Sequence, residues 1–379
     1  MKTNVEEAIL VIPREKIDQL DEALALAETA GYKIIRVYKT RYRNRLGKGL
    51  IYMISDEVPE TVTTIIFYGN PSPSSIFQLM KKSRKRVIDR VQLILEIFAK
   101  HAGSREAQLQ IEAARIKHEI PIVREWIRRS KMGELPGFLG PGRYAIDAYY
   151  RHLTSKLARI RRELEKQRRI RSVRRGSREK KGFVHVSIVG YASAGKTSLF
   201  NVLTGESKPV GREYFTTLHT KHKRVNYNGV DYIFVDTVGF IRDIPPEIIE
   251  SFYSTLEEIV YSDAIIFVID SSDPLQIIHE KIRSGFDILA RIGASGRPVI
   301  IALNKIDVAD SEIVEKVKNS LPTYIPPTVP EYRVVEISAK KRKGIDQLFL
   351  ALTDILPVPG RDERTENHSA KARTQAPKR

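Results

Sequence analysis

Residues 183–200 read FVHVSIVGYASAGKTSLF. The segment Phe183–Val189 is short, rich in β-branched residues and bounded by glycine, which predicts a strand. It runs directly into Gly190–Thr197, GYASAGKT, a match to the phosphate-loop pattern G-x-x-x-x-G-K-[ST]. Gly190 and Gly195 let the backbone curl so that its N–H groups point inward at an anion. Lys196 adds a cation for the outer phosphates, and the Thr197 hydroxyl is placed to ligate Mg²⁺. The helix expected from Ser198 onward aims the positive end of its dipole at the same point. The candidate phosphate contacts are therefore Gly190, Ser193, Ala194, Gly195, Lys196, Thr197 and Ser198.

Three further segments follow in chain order, each after a predicted strand. Asp236–Gly239 (DTVG) comes after Tyr232–Val235, Asn304–Asp307 (NKID) after Val299–Leu303, and Ser338–Lys340 (SAK) after Arg333–Ile337. The Asp236 carboxylate can hold a Mg²⁺-bound water, and the Gly239 N–H can meet a γ-phosphate. Asp307 can accept hydrogen bonds from guanine N1–H and the 2-amino group. Adenine lacks both donors and would leave that carboxylate unpaired. Asn304 can bond the base edge, the Lys305 stem can pack on the ring, and the Ala339 N–H can donate to guanine O6. All four motifs in this order predict a site for GTP or GDP with Mg²⁺. A metal-sensing threonine is expected in FTTLHT, residues 215–220, with Thr217 preferred over Thr216 and Thr220. Lys196, Thr217 and Gly239 are the residues expected to act on the γ-phosphate. The residue after DTVG is Phe240, where many small GTPases carry a water-orienting glutamine. Phenylalanine cannot hydrogen-bond a water, so slow intrinsic hydrolysis and a stimulating partner are expected. Arg242 and Asp243 are the nearby candidates to substitute.

Ala264–Ile269 adds another buried strand, and the strand–helix alternation predicts a mostly parallel sheet with helices on both faces, a Ras-like P-loop domain over 182–357. Upstream, residues 1–80 read as a small α/β unit. Its strands are predicted at Ala8–Ile12, Ile34–Val37, Leu50–Ile54 and Ile65–Tyr68, with a helix after Pro13 that ends at Gly31. From Ser83 the pattern becomes helical. Val87, Val91, Ile94, Leu95 and Phe98 are spaced for one face, and a second helix starts near Ser104. A Gly- and Pro-rich loop covers 131–143. A third helix carries Tyr149, Leu153, Leu157, Ile160 and Leu164 in a coiled-coil-like seam. Residues 168–181 (RRIRSVRRGSREKK) read as a basic linker, and 358–379 as a disordered basic tail.

The chain has 379 residues, net charge +18 and no cysteine, which removes disulfides and thiolate chemistry. No apolar stretch reaches the ~18 residues of a membrane span, and the N-terminus lacks a signal pattern, so a cytoplasmic protein is expected. Residues 81–181 hold 29 basic and 11 acidic side chains, which accounts for the whole charge excess. Density of this kind, without a base-reading motif, suits phosphate contacts with a polyanion. Trp126, Phe138, Tyr144, Tyr149 and Tyr150 could stack on bases, although Trp126 and Tyr149 are more simply read as packing between helices.

Two long stretches carry a family resemblance. Residues 215–220 together with 236–274 (DTVGFIRDIPPEIIESFYSTLEEIVYSDAIIFVIDSSDP), and residues 87–121 (VIDRVQLILEIFAKHAGSREAQLQIEAARIKHEIP), resemble the HflX family of translation-factor-class GTPases. The likeness runs from about residue 8 to 357. It implies an N-terminal α/β subdomain, a helical subdomain and a GTPase domain, and GTP-gated association with the large ribosomal subunit or its rRNA. Two departures stand out. The loop GELPGFLGPGRY keeps Gly140-Pro141-Gly142 but lacks the acid that closes it in the family. Ser193 stands where many relatives have asparagine, so potassium-stimulated hydrolysis is not expected. Other readings of the same residues are a GTPase switch for a protein partner, and an RNA-binding module without nucleotide gating.

Overall fold

The structure, a computed structural model, describes residues 6–42, 44–131, 142–179, 183–206, 221–242, 248 and 253–356. It divides into two compact units. The first comprises residues 1–181 with 210–220 and 238–257, and the second comprises 182–209, 221–237 and 258–379.

The first unit is built on a four-stranded parallel sheet in the order β2-β1-β3-β4, from β1 (Glu6–Pro13), β2 (Tyr32–Thr40), β3 (Thr64–Phe67) and β4 (Arg86–Asp89). The continuous apolar run Ala8–Ile12 is fully buried, as a strand covered on both faces must be. A 3₁₀ turn, Arg14–Gln19, leads into α1 (Leu20–Ala30), which ends on Gly31 at φ 91°. α2 (Lys48–Glu57) and α3 (Pro73–Ser83) follow. Ser72 caps α3 by accepting from the Ser75 N–H at 3.2 Å, with Pro73 in the first turn. α4 (Arg90–His101) is capped by Asp89, which accepts from the Gln92 N–H at 2.9 Å.

Three sequence readings change here. Leu50–Ile54 is helix, not strand. Ile51 and Ile54 are buried while Tyr52 and Met53 are exposed, and a five-residue apolar run does not separate the two periods. Residues 86–89 form the fourth strand rather than the start of a helix. The sheet therefore extends past the expected boundary at residue 80, which falls within α3. Finally, the segment read as a linker from Arg168 is helical backbone as far as Glu179.

The helix pair matches its pattern. α5 (Arg105–Lys131) starts where expected, with the Ser104 hydroxyl accepting from the Ala107 N–H at 3.1 Å. α6 (Gly142–Glu179) lays Leu153, Leu157 and Ile160 against Leu109, Ala113, Ile116 and Val123. Trp126 packs into this seam. Tyr149 lies at its edge, 40% exposed, with its hydroxyl on Glu119 at 2.6 Å. Desolvation and the Glu119 hydrogen bond push that phenol up to about 12. Tyr150 bonds Arg124 instead, at 2.9 Å. Phe138 and the side chain of Tyr144 lie outside the described residues. Arg151, Arg159, Arg161, Arg162 and Lys166 occupy the exposed side of α6.

The second unit carries a six-stranded sheet in the order β10-β9-β8-β5-β7-β6. Its strands are β5 (Val184–Gly190), β6 (Lys221–Tyr227), β7 (Val230–Asp236), β8 (Ala264–Asp270), β9 (Val299–Asn304) and β10 (Tyr332–Glu336). All neighbours are parallel except β6 with β7. β6, KHKRVNY, escapes the sequence reading because it is charged and half exposed, an edge strand with no apolar run. It joins β7 through Asn228 and Gly229, both at positive φ (50° and 82°), as a two-residue hairpin requires. The helices are α7 (Lys196–Thr204), α9 (Leu275–Ile292), α10 (Ser311–Tyr324) and α11 (Ile345–Ile355), while α8 (Tyr253–Val260) has residues 253–257 grouped with the first unit and 258–260 with the second. On one face Phe200, Phe234, Ile266, Ile300, Leu348 and Leu352 form a continuous core. Phe349 of α11 stacks on Tyr227 at 4.1 Å, which fastens the edge hairpin to it.

Candidate nucleotide-binding site

The expected phosphate and base residues of the second unit come from the carboxyl ends of adjacent parallel strands, the usual place for a ligand in such a sheet. β5 delivers Gly190–Ser198, β7 delivers Asp236, and β9 delivers Asn304–Asp307. Ser338–Lys340 follow β10.

The loop's two glycines are demanded by neighbours. Gly190 has φ 146°, and a Cβ there would overlap the Val268 carbonyl of β8. Gly195 has φ 95°, and a Cβ there would overlap Asn304 Nδ2. Ser193 also takes a positive φ, 62°. Within the loop the Ala194 N–H donates to the Tyr191 carbonyl at 3.2 Å, and Lys196 Nζ donates to the same oxygen at 2.8 Å. Lys196 is 7% exposed, and burial lowers its ammonium to about 8, with the Asp236 charge pulling the other way. Asp236 is fully buried, and its Oδ2 accepts from the Thr197 hydroxyl at 3.1 Å. Thr237 is turned away onto the Ile188 carbonyl at 2.7 Å, where it ties β7 to β5.

On the base side, Asn304 braces two loops. Its Nδ2 donates to the Ala194 carbonyl at 2.8 Å and its Oδ1 accepts from the Ala339 N–H at 3.0 Å. The sequence reading gave Asn304 and the Ala339 N–H to the base. In the structure they bond each other, which leaves one Nδ2 hydrogen for a ligand. Asp307 is exposed, and Ser338 Oγ donates to its Oδ1 at 2.6 Å, holding the carboxyl below the usual carboxylate range. Ser338 is itself buried and pinned by reciprocal 3.1 Å backbone bonds with Lys343. Lys305 sits at φ 67° with its ammonium on Asp270, which sequence reasoning missed. The available signal was an acid ending a wholly apolar strand, AIIFVID.

Other expected residues fall outside the second unit or outside the described residues. Gly239 belongs to a segment grouped with the first unit. There Phe240 is buried. Arg242 is 8% exposed, donates to Asp18 Oδ2 at 2.8 Å, and offers its carbonyl to Arg90. Its guanidinium is thus committed to a carboxylate and does not stand in for the absent glutamine in this arrangement. Asp243 and the threonines Thr216, Thr217 and Thr220 lie outside the described residues. Among the described residues no group of three or more His, Asp or Glu side chains could hold a metal, and no helix is long and apolar enough to cross a membrane.

Comparison with known proteins fits this arrangement. A family profile described as 50S ribosome-binding GTPase matches residues 185–305. Profiles described as GTP-binding GTPase Middle Region and GTP-binding GTPase N-terminal match residues 101–178 and 17–99. A GTPase HflX of Hyperthermus butylicus is 47% identical over 359 residues, spanning 92% of this chain and 96% of that protein. The chain belongs to the HflX family of GTPases. A GTPase HflX of Methanocaldococcus jannaschii is 39% identical over 313 residues, spanning 82% of this chain and 77% of that one. The crystal structure of a protein named SsGBP in complex with GDP is 32% identical, with a TM-score of 0.53 over 93% of this chain and 100% of that chain. As an HflX-family enzyme the chain binds guanine nucleotide and hydrolyses GTP to GDP and phosphate.

The buried lysine gives a pH signature. With its ammonium lowered to about 8, Lys196 is expected to be charged in the nucleotide-free protein below that pH, and affinity for GDP is expected to be flat there. Above it, binding must restore the proton, and affinity is expected to fall by up to tenfold per pH unit. The sign reverses for stability. A lysine whose folded pKa lies below its unfolded value favours the fold more as pH rises from about 8 towards 10.5. GDP titrations from about pH 7 to pH 8.5, where guanine keeps its N1 proton, check the first effect. A flat profile across that range contradicts it.

Proposed function

We propose that the chain is a Mg²⁺-dependent GTPase whose bound nucleotide gates its association with the large ribosomal subunit, through rRNA. The observation that carries this reading is the position of the charge. The nucleotide site lies in a mildly acidic part of the chain, whereas the whole +18 excess falls within residues 81–181, which contain α5 and α6. Cations ranked along an exposed helix suit a phosphate backbone, and such contacts supply affinity without base sequence. The matched description, a 50S ribosome-binding GTPase, supports the same partner.

At the nucleotide, the chain's own groups divide the work. Lys196 neutralises the outer phosphates, and the Gly190–Thr197 backbone cradles them. The hydroxyl of Thr197 would ligate Mg²⁺ with Thr217 as the further ligand, and the buried Asp236 carboxylate beside Thr197 would hold a metal-bound water. The metal, when bound, supplies charge neutralisation on the phosphates. Asp307 reads the base, Asn304 braces the loops, and Ser338, Ala339 and Lys340 form the last wall. Thr217 and Gly239 report the γ-phosphate, and the loops that carry them reposition on its loss. With Phe240 in place of glutamine, hydrolysis is slow until a partner completes the machinery.

Binding of the full chain to purified large subunits, titrated with salt in the GTP-analogue and GDP forms, tests the reading. Tighter binding in the analogue form, falling steeply with salt, is expected. No binding in either state overturns the ribosomal partner, and equal binding in both overturns the gating.

A further inference from the structure

The carboxylate that ends β8 has a connection that the four nucleotide motifs do not include. Asp270 is 9% exposed and lies across the sheet from Asn304 in the β8–β9 register. Its Oδ1 accepts from both the N–H and the hydroxyl of Ser272, at 3.1 and 2.6 Å. Its Oδ2 receives the Lys305 ammonium. The backbone beneath is tied as well, with the Ser271 N–H donating to the Asn304 carbonyl at 2.9 Å. The carboxylate is thus oriented by its own turn, independently of the lysine. Lys305 in turn holds a left-handed backbone, φ 67°, which is costly for a residue with a Cβ. Its carbonyl accepts from the N–H groups of Val308 and Ala309, at 3.0 and 3.1 Å, around the turn that presents Asp307. A four-carbon stem in that position, left to itself, would sample many rotamers. Anchored at its tip it has few.

We propose that Asp270 is a positioning residue for guanine nucleotide, which holds the Lys305 stem as a preformed wall against the face of the purine ring. The inference rests on the reading of NKID as the base site. The stem meets the ring face, which guanine and hypoxanthine share, whereas Asp307 meets the 2-amino group that only guanine has. Loss of the anchor therefore weakens GDP and IDP by the same factor. Loss of Asp307 changes their ratio.

The test uses the full chain and equilibrium binding of GDP and IDP. Asp270→Asn keeps the acceptor for Ser272 and removes the charge that holds the lysine. About a tenfold weaker affinity for both nucleotides is expected, chiefly through faster dissociation and at an unchanged GDP-to-IDP ratio. Lys305→Met keeps an apolar stem that needs no anchor, and in that background Asp270→Asn is expected to have no effect on affinity. Unchanged affinity in the single variant, or an undiminished loss in the Lys305→Met background, overturns the proposal. A loss confined to thermal stability does the same, because it assigns Asp270 to the fold alone. The Asp307→Asn variant, run alongside, tests the base-site reading itself. If it binds GDP and IDP as the parent does, that reading fails, whatever Asp270 does.

Discussion

Asp307→Asn is expected to weaken GDP binding by about a thousandfold and to confer binding of XDP. The carboxylate offers two acceptors, and guanine offers two donors, N1–H and the 2-amino group. Each charge-assisted bond contributes about 1.5–3 kcal/mol, so losing the match costs on the order of 3–6 kcal/mol. An asparagine keeps one acceptor and turns the other into a donor. Xanthine, which carries an oxygen where guanine has its amine, meets that pattern. Ser338 reinforces the effect, because its 2.6 Å hydrogen bond fixes Oδ1 and holds the native carboxyl below the usual carboxylate range. The sign follows from linkage: a carboxyl lowered by its partner loses that contribution only as pH falls through its folded value. Titration of the variant with GDP and XDP decides the matter, and a GDP affinity within about threefold of the parent would falsify the assignment of Asp307 to the base.

Gly195→Ala is the second large expected effect, and its cause lies across the fold. The added methyl would collide with Asn304 Nδ2, which is already hydrogen-bonded to the Ala194 carbonyl at 2.8 Å. The residue also sits at φ 95°, where alanine is strained. Relief is expected to displace the Asn304 amide from the Ala194 carbonyl, so one methyl loosens the brace between the phosphate and base halves of the site. Nucleotide affinity is expected to fall by more than about a hundredfold, while the sheet core, which the methyl does not touch, keeps its far-ultraviolet circular dichroism. Gly205→Ala is the matched control. That glycine follows α7 at φ 70°, and a Cβ added there would meet nothing within 4 Å. It should cost about 1 kcal/mol of stability and leave binding intact. If both variants bind GDP equally well, the Asn304 brace is not what holds the loop.

Much of the second unit was legible in advance because its inner strands are rich in buried apolar residues. Ile188, Phe234, Ile266 and Ile300 lie in segments that could hardly be anything but buried β-structure, and the motifs punctuate their ends. The helix pair was legible for a similar reason, since the spacing from Leu153 to Leu164 is sustained long enough to exclude a strand. Leu50–Ile54 failed because five apolar residues fit either period, and the answer came from packing, with Ile51 and Ile54 turned inward. β6 failed for the opposite reason: a charged edge strand has no hydrophobic signal to read, and its place is set by backbone pairing with β7. Arg242 was a candidate to stand in for glutamine because it is near in sequence. Its engagement with Asp18 depends on a contact between residues far apart in the chain.

The order of GKT, DTVG, NKID and SAK along alternating strands and helices determined the ligand class and the sheet, because phosphate and guanine recognition need those residue types at those strand ends. The charge count alone likewise placed the polyanion-binding candidate within residues 81–181. The tertiary structure decided how the motifs act on one another. Asn304 spends its amide on Ala194 and Ala339, Ser338 is aimed at Asp307, and Lys305 is anchored by Asp270. These bonds join residues that are up to 110 positions apart in the chain. A hydrogen bond depends on distance and direction in space, and spacing along a chain does not supply either until the strands have paired.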